Sequence, residues 1–220
     1  MSSPHHAAAR FDRTILAGAL PVLIGVLLLA VYWPALGGPF LLDDISNVPQ
    51  ARPDGFSPGA LFEIASGNHS GLFGRSVPTL TFALNYLFGA DGPAAFKITN
   101  LVIHALNTAL VFLFCRIVLS HVAARPEDST RSENTARAVA FVVAAIWALH
   151  PLQVSTVMYV VQRMTLLMSG FTLISLTLYA LMRTRQVRRG ERGWTLVPPI
   201  VLFTLLACLS KENGALIPLY

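Results

Sequence analysis

The sequence has little charge and only two cysteines, and each scarcity argues against a class of protein. Charged residues make up 12% of the 220 residues, whereas hydrophobic residues make up 54%. Soluble domains carry about twice that share of charge, so the composition predicts a membrane protein. Cys115 and Cys208 lie in apolar runs and form no CxxC pair, which favours buried thiols over a redox or metal centre.

Several sequence signatures of chemistry are also missing. The chain has no HExxH motif, no P-loop, no GxSxG motif and no Cys/His cluster. Its basic residues form short clusters without interleaved aromatics, which argues against a nucleic-acid partner. We therefore expect no cofactor and no dedicated metal site. A divalent cation stays open as an alternative, because Asp43, Asp44 and Asn47 offer three oxygen ligands.

Long uncharged runs are the main feature that is present. The first, Thr14–Leu42, has 29 residues and exceeds the core of a signal peptide, which is about 7–15 residues, so it predicts an uncleaved membrane anchor. Runs close to the length of a spanning helix follow at Ile98–Cys115, Ala138–Gln162, Met164–Met182 and Gly193–Ser210. The expected fold is an all-α polytopic membrane protein with about five transmembrane helices.

His150-Pro151 divides the longest of the later runs. Proline disfavours helical geometry in the residue before it, so a helix should end near Leu149. A second helix is expected to begin near Val154 and run to Met182, with Arg163 two to three turns inside it. An ionisable residue at such a position indicates a functional site or a side chain that reaches back to the interface.

The segment Ser76–Ala90 is too short and too polar to be read as a span. It has 15 residues, and Leu80, Leu84 and Leu87 form a single apolar stripe at helical spacing. This pattern predicts an amphipathic helix that lies on the membrane.

The arginines predict which side of the membrane each segment faces. They cluster before the first run, between residues 116 and 137, and between residues 183 and 192. Cytoplasmic loops carry the excess of Lys and Arg, so residues 1–13 form a cytoplasmic N-terminus and residues 14–220 a transmembrane domain. The loop at about 37–96, His150-Pro151 and Lys211-Glu212 then share the opposite face. The final apolar run, GALIPLY, looks like the start of another span, so we expect the sequence to be truncated.

Asp43 and Asp44 are the first candidates for chemistry. Adjacent side chains point about 100° apart on a helix and to opposite faces on a strand, so the pair is not expected to share a proton. One carboxylate could face a cavity while its neighbour braces the local turn. The alternative is a helix cap, with Asp44 accepting hydrogen bonds from free backbone amides.

Other polar residues have structural alternatives. Lys211 and Glu212 could simply pair with each other. His104 shares a helix face with Asn100 and Asn107, and such a stripe usually packs against other helices through hydrogen bonds. His150 is expected to mark a helix end.

Five segments occur in an order that resembles a known family. They are GGPFLLDDISNV, GRSVPTLTFALNYLFG, FKITNLVIHALNTALVFLF, WALHPLQVSTVMYVVQRMTLLMSGFTLISLTLYA and LACLSKENGALIPL. Together they resemble the membrane half of the O-mannosyltransferase family that joins a transmembrane domain to tetratricopeptide repeats, and its bacterial relatives. That family belongs to the GT-C class of integral-membrane glycosyltransferases.

The resemblance implies an enzyme that moves a sugar from a polyprenyl-phosphate carrier to an acceptor, probably a protein hydroxyl or a glycan, outside the cytoplasm. It implies that Asp43 or Asp44 is the catalytic base. The expected contacts with the lipid phosphate or the sugar are Arg75, His150, Arg163, Lys211 and Glu212. The enzyme would lie in the inner (cytoplasmic) membrane, in contact with its lipid.

Two other classes stay open. A lipid or solute transporter would show related halves, and no internal repeat is visible. A non-catalytic membrane scaffold would tolerate changes at the two aspartates.

Overall fold

The computed structural model describes residues 22–53, 55, 57–67, 74–122, 129–190 and 193–220. Within these ranges the chain is helical and contains no strand, so the all-α expectation is confirmed. The expected cytoplasmic N-terminus at 1–13, the start of the first run at 14–21, Arg125 and Arg192 lie outside the described residues.

The described residues form a series of helices joined by short connections. In chain order these are α1 (Val22–Leu36), α2 (Asp43–Gln50), α3 (Pro58–Ser66), α4 (Ser76–Leu87), α5 (Pro93–Val122), α6 (Ser129–Leu149), α7 (Gln153–Met158), α8 (Arg163–Arg189) and α9 (Val197–Cys208). Short 3₁₀ segments lie at Val160–Gln162, Gly193–Leu196 and Glu212–Leu219.

Helix α5 is the centre of the packing. It lies against α6 on one side and α8 on another, and α8 in turn packs against α9. Near its middle, Leu101 joins an apolar cluster with Leu28 of α1 and Leu166 of α8. Near its start, Phe96 joins a second cluster with Phe82 of α4. The two clusters together hold the segment between α1 and α4 against the helix bundle.

Two of the described helical segments are long and apolar enough to cross a membrane, Pro93–His121 and Val160–Val187. The apolar segments Val22–Leu36 and Gly193–Cys208 are shorter. The structure is therefore consistent with membrane association, but the expected count of about five spans is not confirmed.

The polar stripe on α5 holds neighbouring helices together, as predicted. Asn100 Nδ2 donates to the Val157 carbonyl at 3.1 Å, and Asn107 Nδ2 donates to the Leu166 carbonyl at 2.8 Å. His104 Nε2 lies 2.9 Å from the carbonyl of Ala148. All three stripe residues are buried, so their hydrogen bonds offset the loss of hydration.

The region after His150 is partly as expected. Helix α6 ends at Leu149, which confirms the predicted break before Pro151. The single helix expected from Val154 to Met182 is wrong, because α7 stops at Met158 and Tyr159 has an extended backbone with ψ 107°. Arg163 is consequently the first residue of α8 and does not lie two to three turns inside a helix. A side chain from elsewhere in the chain accounts for this break.

Helix α4 forms where the apolar stripe at residues 80–87 predicted a helix. It packs against α3, α5 and α8, and its buried residues include Phe82 and Ala83. Its position relative to a membrane stays a prediction.

Candidate functional site

Asp44 is the side chain that stabilises the break between α7 and α8. Its Oδ1 accepts the Val161 N–H at 2.7 Å, and its Oδ2 accepts the N–H groups of Val160 and Leu41, each at 3.2 Å. The carboxylate is fully buried, so these are charge-assisted hydrogen bonds in a dry environment. The amides at the start of a helical turn have no partner within that turn, and Asp44 supplies one from α2. We call these three hydrogen bonds the Asp44 clamp.

The turn that leads into the aspartates has a strained backbone. Leu42 has φ 45° and ψ −116°, and it is the one non-glycine residue in the described ranges with positive φ. Such a conformation costs about 1–3 kcal/mol and persists where surrounding contacts hold it in place. Here the Asp44 N–H donates to the Leu41 carbonyl at 2.8 Å while the Asp44 carboxylate accepts the Leu41 N–H. The residues before and after Leu42 are therefore joined by hydrogen bonds, which hold the strained turn.

Asp43 has a different environment. It is exposed, and its backbone N–H donates to the Tyr159 hydroxyl at 3.1 Å. Asn47, one turn along α2, donates from Nδ2 to the Asp43 carbonyl at 2.8 Å. Asp43 thus has a fixed backbone and an open carboxylate, whereas Asp44 is buried. The position of Asp44 agrees with the expectation that one acid braces the turn. The expectation that its neighbour faces a cavity stays a prediction for Asp43, which is exposed.

Tyr159 was not singled out from the sequence, yet it lies beside the exposed acid. Partial burial raises the pKa of Tyr159 from 10.0, and the negative charges of Asp43 and Asp44 raise it as well. The hydroxyl is therefore protonated at neutral pH. The Tyr159 oxygen accepts the Asp43 amide, and the hydroxyl also forms a hydrogen bond with the Asp43 side chain, which raises the tyrosine pKa further. No signal in the sequence marks Tyr159, because the surrounding run has the composition of a continuous helix.

The basic residues from two other segments meet near the same break. Arg75 Nη2 lies 3.9 Å from Glu212 Oε1. Lys211 Nζ donates to Thr165 Oγ1 at 2.9 Å, and that hydroxyl donates to Gln162 Oε1 at 2.7 Å. Lys211 and Glu212 therefore bind different partners, in contrast to the alternative in which they pair with each other.

A narrow cleft connects these elements. Asn47 of α2, Arg75 before α4 and Val161 of the break all line it. A larger cavity of about 320 Å³ continues along α2 and α3, between Asn47 and Glu63. The structure thus brings Asp43, Asp44, Arg75, Lys211 and Glu212 around the α7–α8 break from three separate segments of the chain.

Arg163 lies next to this region but directs its guanidinium into the protein. Its Nε donates to Asn100 Oδ1 at 2.7 Å, and its Nη1 donates to Asn85 Oδ1 at 2.6 Å and to the Thr81 carbonyl at 3.1 Å. Its Nη2 donates to the Phe96 carbonyl at 3.0 Å. The side chain is fully buried. No surface of the guanidinium is left for a phosphate in this arrangement.

The partners of Arg163 are uncharged. The guanidinium carbon also lies 4.5 Å from the centre of the Phe82 ring, which is the geometry of a cation–π contact. Among the described residues, no ion pair involves Arg163. Arg163 therefore joins α4, α5 and α8, and the hypothesis that it contacts the lipid phosphate is at odds with its position.

His150 is not part of the group around the break. Its ring is exposed, and Nδ1 accepts the Leu152 N–H at 3.2 Å. Within the described ranges no hydrogen bond or ion pair joins it to either aspartate or to Arg75. It acts as the expected helix end, and any contact with a sugar stays a prediction.

Lys97 is a second residue that the sequence reading missed. It is buried at the start of α5, and its Nζ donates to the Gly38 carbonyl at 2.8 Å and the Ala35 carbonyl at 3.2 Å. A positive charge at the end of a helix satisfies free carbonyls and interacts favourably with the helix dipole. Lys97 thereby holds the chain where it leaves α1, at Gly38, which lies six residues before Asp44. A lysine at the start of an apolar run, which has to find acceptors nearby, was the available signal.

In the part of the chain that the structure describes, no three His, Cys, Asp or Glu side chains are grouped so that they could hold a metal ion.

The fold and the site together define an all-α membrane-associated protein with an exposed carboxylate near a cleft that Arg75 lines. The chain is similar to three curated proteins named protein O-mannosyl-transferase. TMTC3 of Mus musculus is 27% identical over 87% of this chain and 20% of the relative. TMTC1 of Homo sapiens is 28% identical over 90% of this chain and 22% of the relative. F38B6.6 of Caenorhabditis elegans is 27% identical over 83% of this chain and 24% of the relative. The resemblance inferred from the five ordered segments is thus confirmed.

The chain spans about a fifth of the length of the curated relatives it matches. No protein-family model matches it. No solved structure matches it either.

Proposed function

We propose that this chain forms part of a membrane glycosyltransferase that transfers a sugar, by relation to its named relatives a mannosyl group, to a protein hydroxyl. The proposal depends on one observation: the two aspartates have different environments, with Asp43 exposed and Asp44 buried. Asp43 is exposed, whereas Asp44 holds three backbone amides. A proton acceptor that has to reach a substrate must be open, and a fixed neighbour keeps it in position.

The proposed reaction is a single displacement. The acceptor hydroxyl oxygen attacks the anomeric carbon and transfers its proton to the Asp43 carboxylate. A new carbon–oxygen bond forms to the acceptor as the bond from the anomeric carbon to the phosphate oxygen breaks. The leaving phosphate takes the bonding electron pair. In this scheme Asp44 is a positioning residue, because its carboxylate is buried and fully engaged.

The leaving group requires positive charge. Arg75 lines the cleft and Lys211 binds Thr165 just after the break, and we propose that both contact the phosphate of a polyprenyl-phosphate sugar. Arg75 Nε is buried and has no hydrogen-bond partner among the described residues, so the guanidinium retains a free donor. A lipid-linked donor would also account for the lack of a nucleotide-binding motif in the sequence. Glu212, paired with Arg75, would orient that guanidinium.

The arginine distribution supports the proposed orientation. The C-terminal ends of α5 and α8 carry Arg116, Arg183 and Arg185, whereas the aspartates lie at the opposite end of α5. Positively charged ends lie in the cytoplasm, so the aspartates would face away from it. The proposed location is the inner membrane, with several spans and the N-terminus in the cytoplasm. The proposed chemistry uses no cofactor, and a divalent cation near the aspartates stays an alternative.

The test is sugar transfer by the full-length protein, with purified Asp43→Asn and Asp44→Asn variants assayed beside wild type. The donor is a polyprenyl-phosphate mannose and the acceptor is a set of hydroxyl-bearing peptides. We expect Asp43→Asn to lose about 10²–10⁴-fold in turnover, the typical contribution of a general base, with an unchanged unfolding temperature. Asp44→Asn should lose both activity and stability, because an amide leaves at least one buried N–H unpaired, at about 1–3 kcal/mol.

Asp91→Asn is the matched control, because Asp91 is an exposed acid in the same outer region that pairs with Arg52. It should retain wild-type activity. Turnover by Asp43→Asn within a factor of two of wild type would refute the assignment of the base.

A further inference from the structure

An apolar groove lies between α1, α5 and α6, away from the aspartates. Its volume is about 310 Å³, and its walls are mainly aliphatic and aromatic, with Leu28 on one side and Phe112 and Phe141 on the others. Arg116 and Arg137 line the same groove. It therefore combines an apolar channel with two positive charges.

The two arginines come from neighbouring helix ends. Arg116 lies in the last two turns of α5 and is exposed, and Arg137 lies on the facing part of α6 and is half-buried. Arg116 Nη2 is 3.5 Å from Glu133 Oε1, but the two side chains are 44% and 66% exposed. Exposed pairs of this kind contribute little, so Glu133 does not prevent Arg116 from binding another anion.

The groove is distinct from the proposed reaction site. Asn100, which binds Arg163 beside the aspartates, and Arg116 are separated by sixteen residues of α5. At 1.5 Å per residue, Arg116, at the far end of the groove, lies about 24 Å from Asn100 along that helix. The arginines thus lie near the opposite end of the membrane-spanning segment Pro93–His121.

We propose that this groove binds an anionic phospholipid of the surrounding membrane. One acyl chain would lie along Leu28, Phe112 and Phe141, and the phosphate group would accept hydrogen bonds from Arg116 and Arg137. Guanidinium groups match phosphate oxygens in geometry as well as charge. Basic pockets between spanning helices bind acidic lipid headgroups in the same way. This proposal does not depend on the proposed sugar transfer.

Gly25 of α1 provides a way to test the apolar part alone. It lines the groove, and a Cβ built on it has no other atom within 4 Å. A side chain that starts there therefore enters the groove without a clash at its Cβ. Gly25→Leu should block the acyl chain while both arginines stay in place.

The experiment measures which lipids stay with the purified full-length protein. Wild type is produced in a membrane with phosphatidylcholine and phosphatidylglycerol, extracted in a mild neutral detergent, and its bound lipids are quantified by mass spectrometry. Each arginine near an acidic headgroup contributes about fivefold, and Glu133 offsets part of this, so we expect about tenfold enrichment of phosphatidylglycerol. The Arg116→Gln/Arg137→Gln variant should lose this enrichment.

Two comparisons separate the groove from general electrostatics. Arg183→Gln/Arg185→Gln removes the same charge from α8 and should keep wild-type enrichment. Gly25→Leu should lose bound phospholipid of both kinds. Glycerol phosphate, which has the headgroup chemistry without acyl chains, should not displace the lipid.

Three results would overturn the proposal. The first is equal retention of phosphatidylcholine and phosphatidylglycerol by wild type. The second is that Arg183→Gln/Arg185→Gln loses as much enrichment as Arg116→Gln/Arg137→Gln. The third is that Gly25→Leu retains as much phospholipid as wild type. Unfolding temperatures are measured for every variant, so that a loss of lipid caused by misfolding is recognised. Arg116→Lys/Arg137→Lys keeps both charges and should retain the enrichment of phosphatidylglycerol.

Discussion

Replacing Arg163 with lysine keeps the positive charge but removes the planar guanidinium group that joins α8 to α4 and α5. The guanidinium donates to Asn100, Asn85 and the carbonyls of Thr81 and Phe96 through three different nitrogen atoms. An ammonium group offers its donors from one atom on a stem that cannot reach all four acceptors. We expect at least two buried acceptors to be left without a donor in Arg163→Lys.

The magnitude follows from those two acceptors. An unsatisfied buried polar group costs about 1–3 kcal/mol, so the variant should lose about 2–6 kcal/mol of unfolding free energy. For a chain of this length that corresponds to a decrease of about 10 °C in unfolding temperature. Cys115 and Cys208 are partly buried and free, so a thiol-reactive dye can report unfolding in detergent. Arg183→Lys, at a partly exposed arginine of the same helix, is the control and should change little.

The same variant separates two roles for Arg163. A residue that only contacts the donor phosphate would leave the unfolding temperature unchanged in Arg163→Lys and would raise the KM for the lipid donor. A structural residue would lower the unfolding temperature first. An unfolding temperature within about 2 °C of wild type, less than 1 kcal/mol on the same scale, would refute the reasoning from the four acceptors.

Two further outcomes follow from single contacts. Gly214→Ala should destabilise the chain by about 1–3 kcal/mol, because a Cβ there would overlap the backbone of Ala207. Gly193→Ala, where a Cβ meets no atom within 4 Å, should be neutral in the same thermal assay. Folding raises the pKa of Tyr159 above 10.0, so the folded state holds the phenolic proton more tightly than the unfolded state. The resulting contribution to stability is fully present below pH 10.0 and should be lost as the pH rises through the folded-state pKa. Unfolding temperatures of wild type and Tyr159→Phe should accordingly converge or cross above about pH 10, and parallel pH profiles would contradict this.

The features that the sequence predicted well are those determined locally. The uncharged runs predicted helices α5, α8 and α9, and Pro151 predicted the end of α6. The stripe of Asn100, His104 and Asn107 predicted helix packing, because polar groups on an apolar helix have to find partners across an interface. The separation of Asp43 from Asp44 followed from the angle between adjacent side chains.

The features that escaped prediction depend on distant residues. The run around Val160 and Val161 has the composition of a continuous helix, and it is broken because Asp44, far away in sequence, binds their amides. The position of Arg163 at the start of α8, and hence its inward direction, follows from that break. The expected count of about five spans is not confirmed, since two of the described segments reach the length and apolarity of a span.

The Asp44 clamp has a consequence for biosynthesis. Asp44 leaves the ribosome well before Val160 and Val161, since 116 and 117 residues separate the partners. Until Val160 and Val161 have been translated, the Asp44 carboxylate lacks two of its three hydrogen bonds, and the strained turn at Leu42 has its local Asp44–Leu41 hydrogen bonds without the rest of the clamp. The exposed acid at Asp43 is therefore fixed only after two long helices have been made, and a nascent chain that ends before residue 160 cannot hold a preorganised acid.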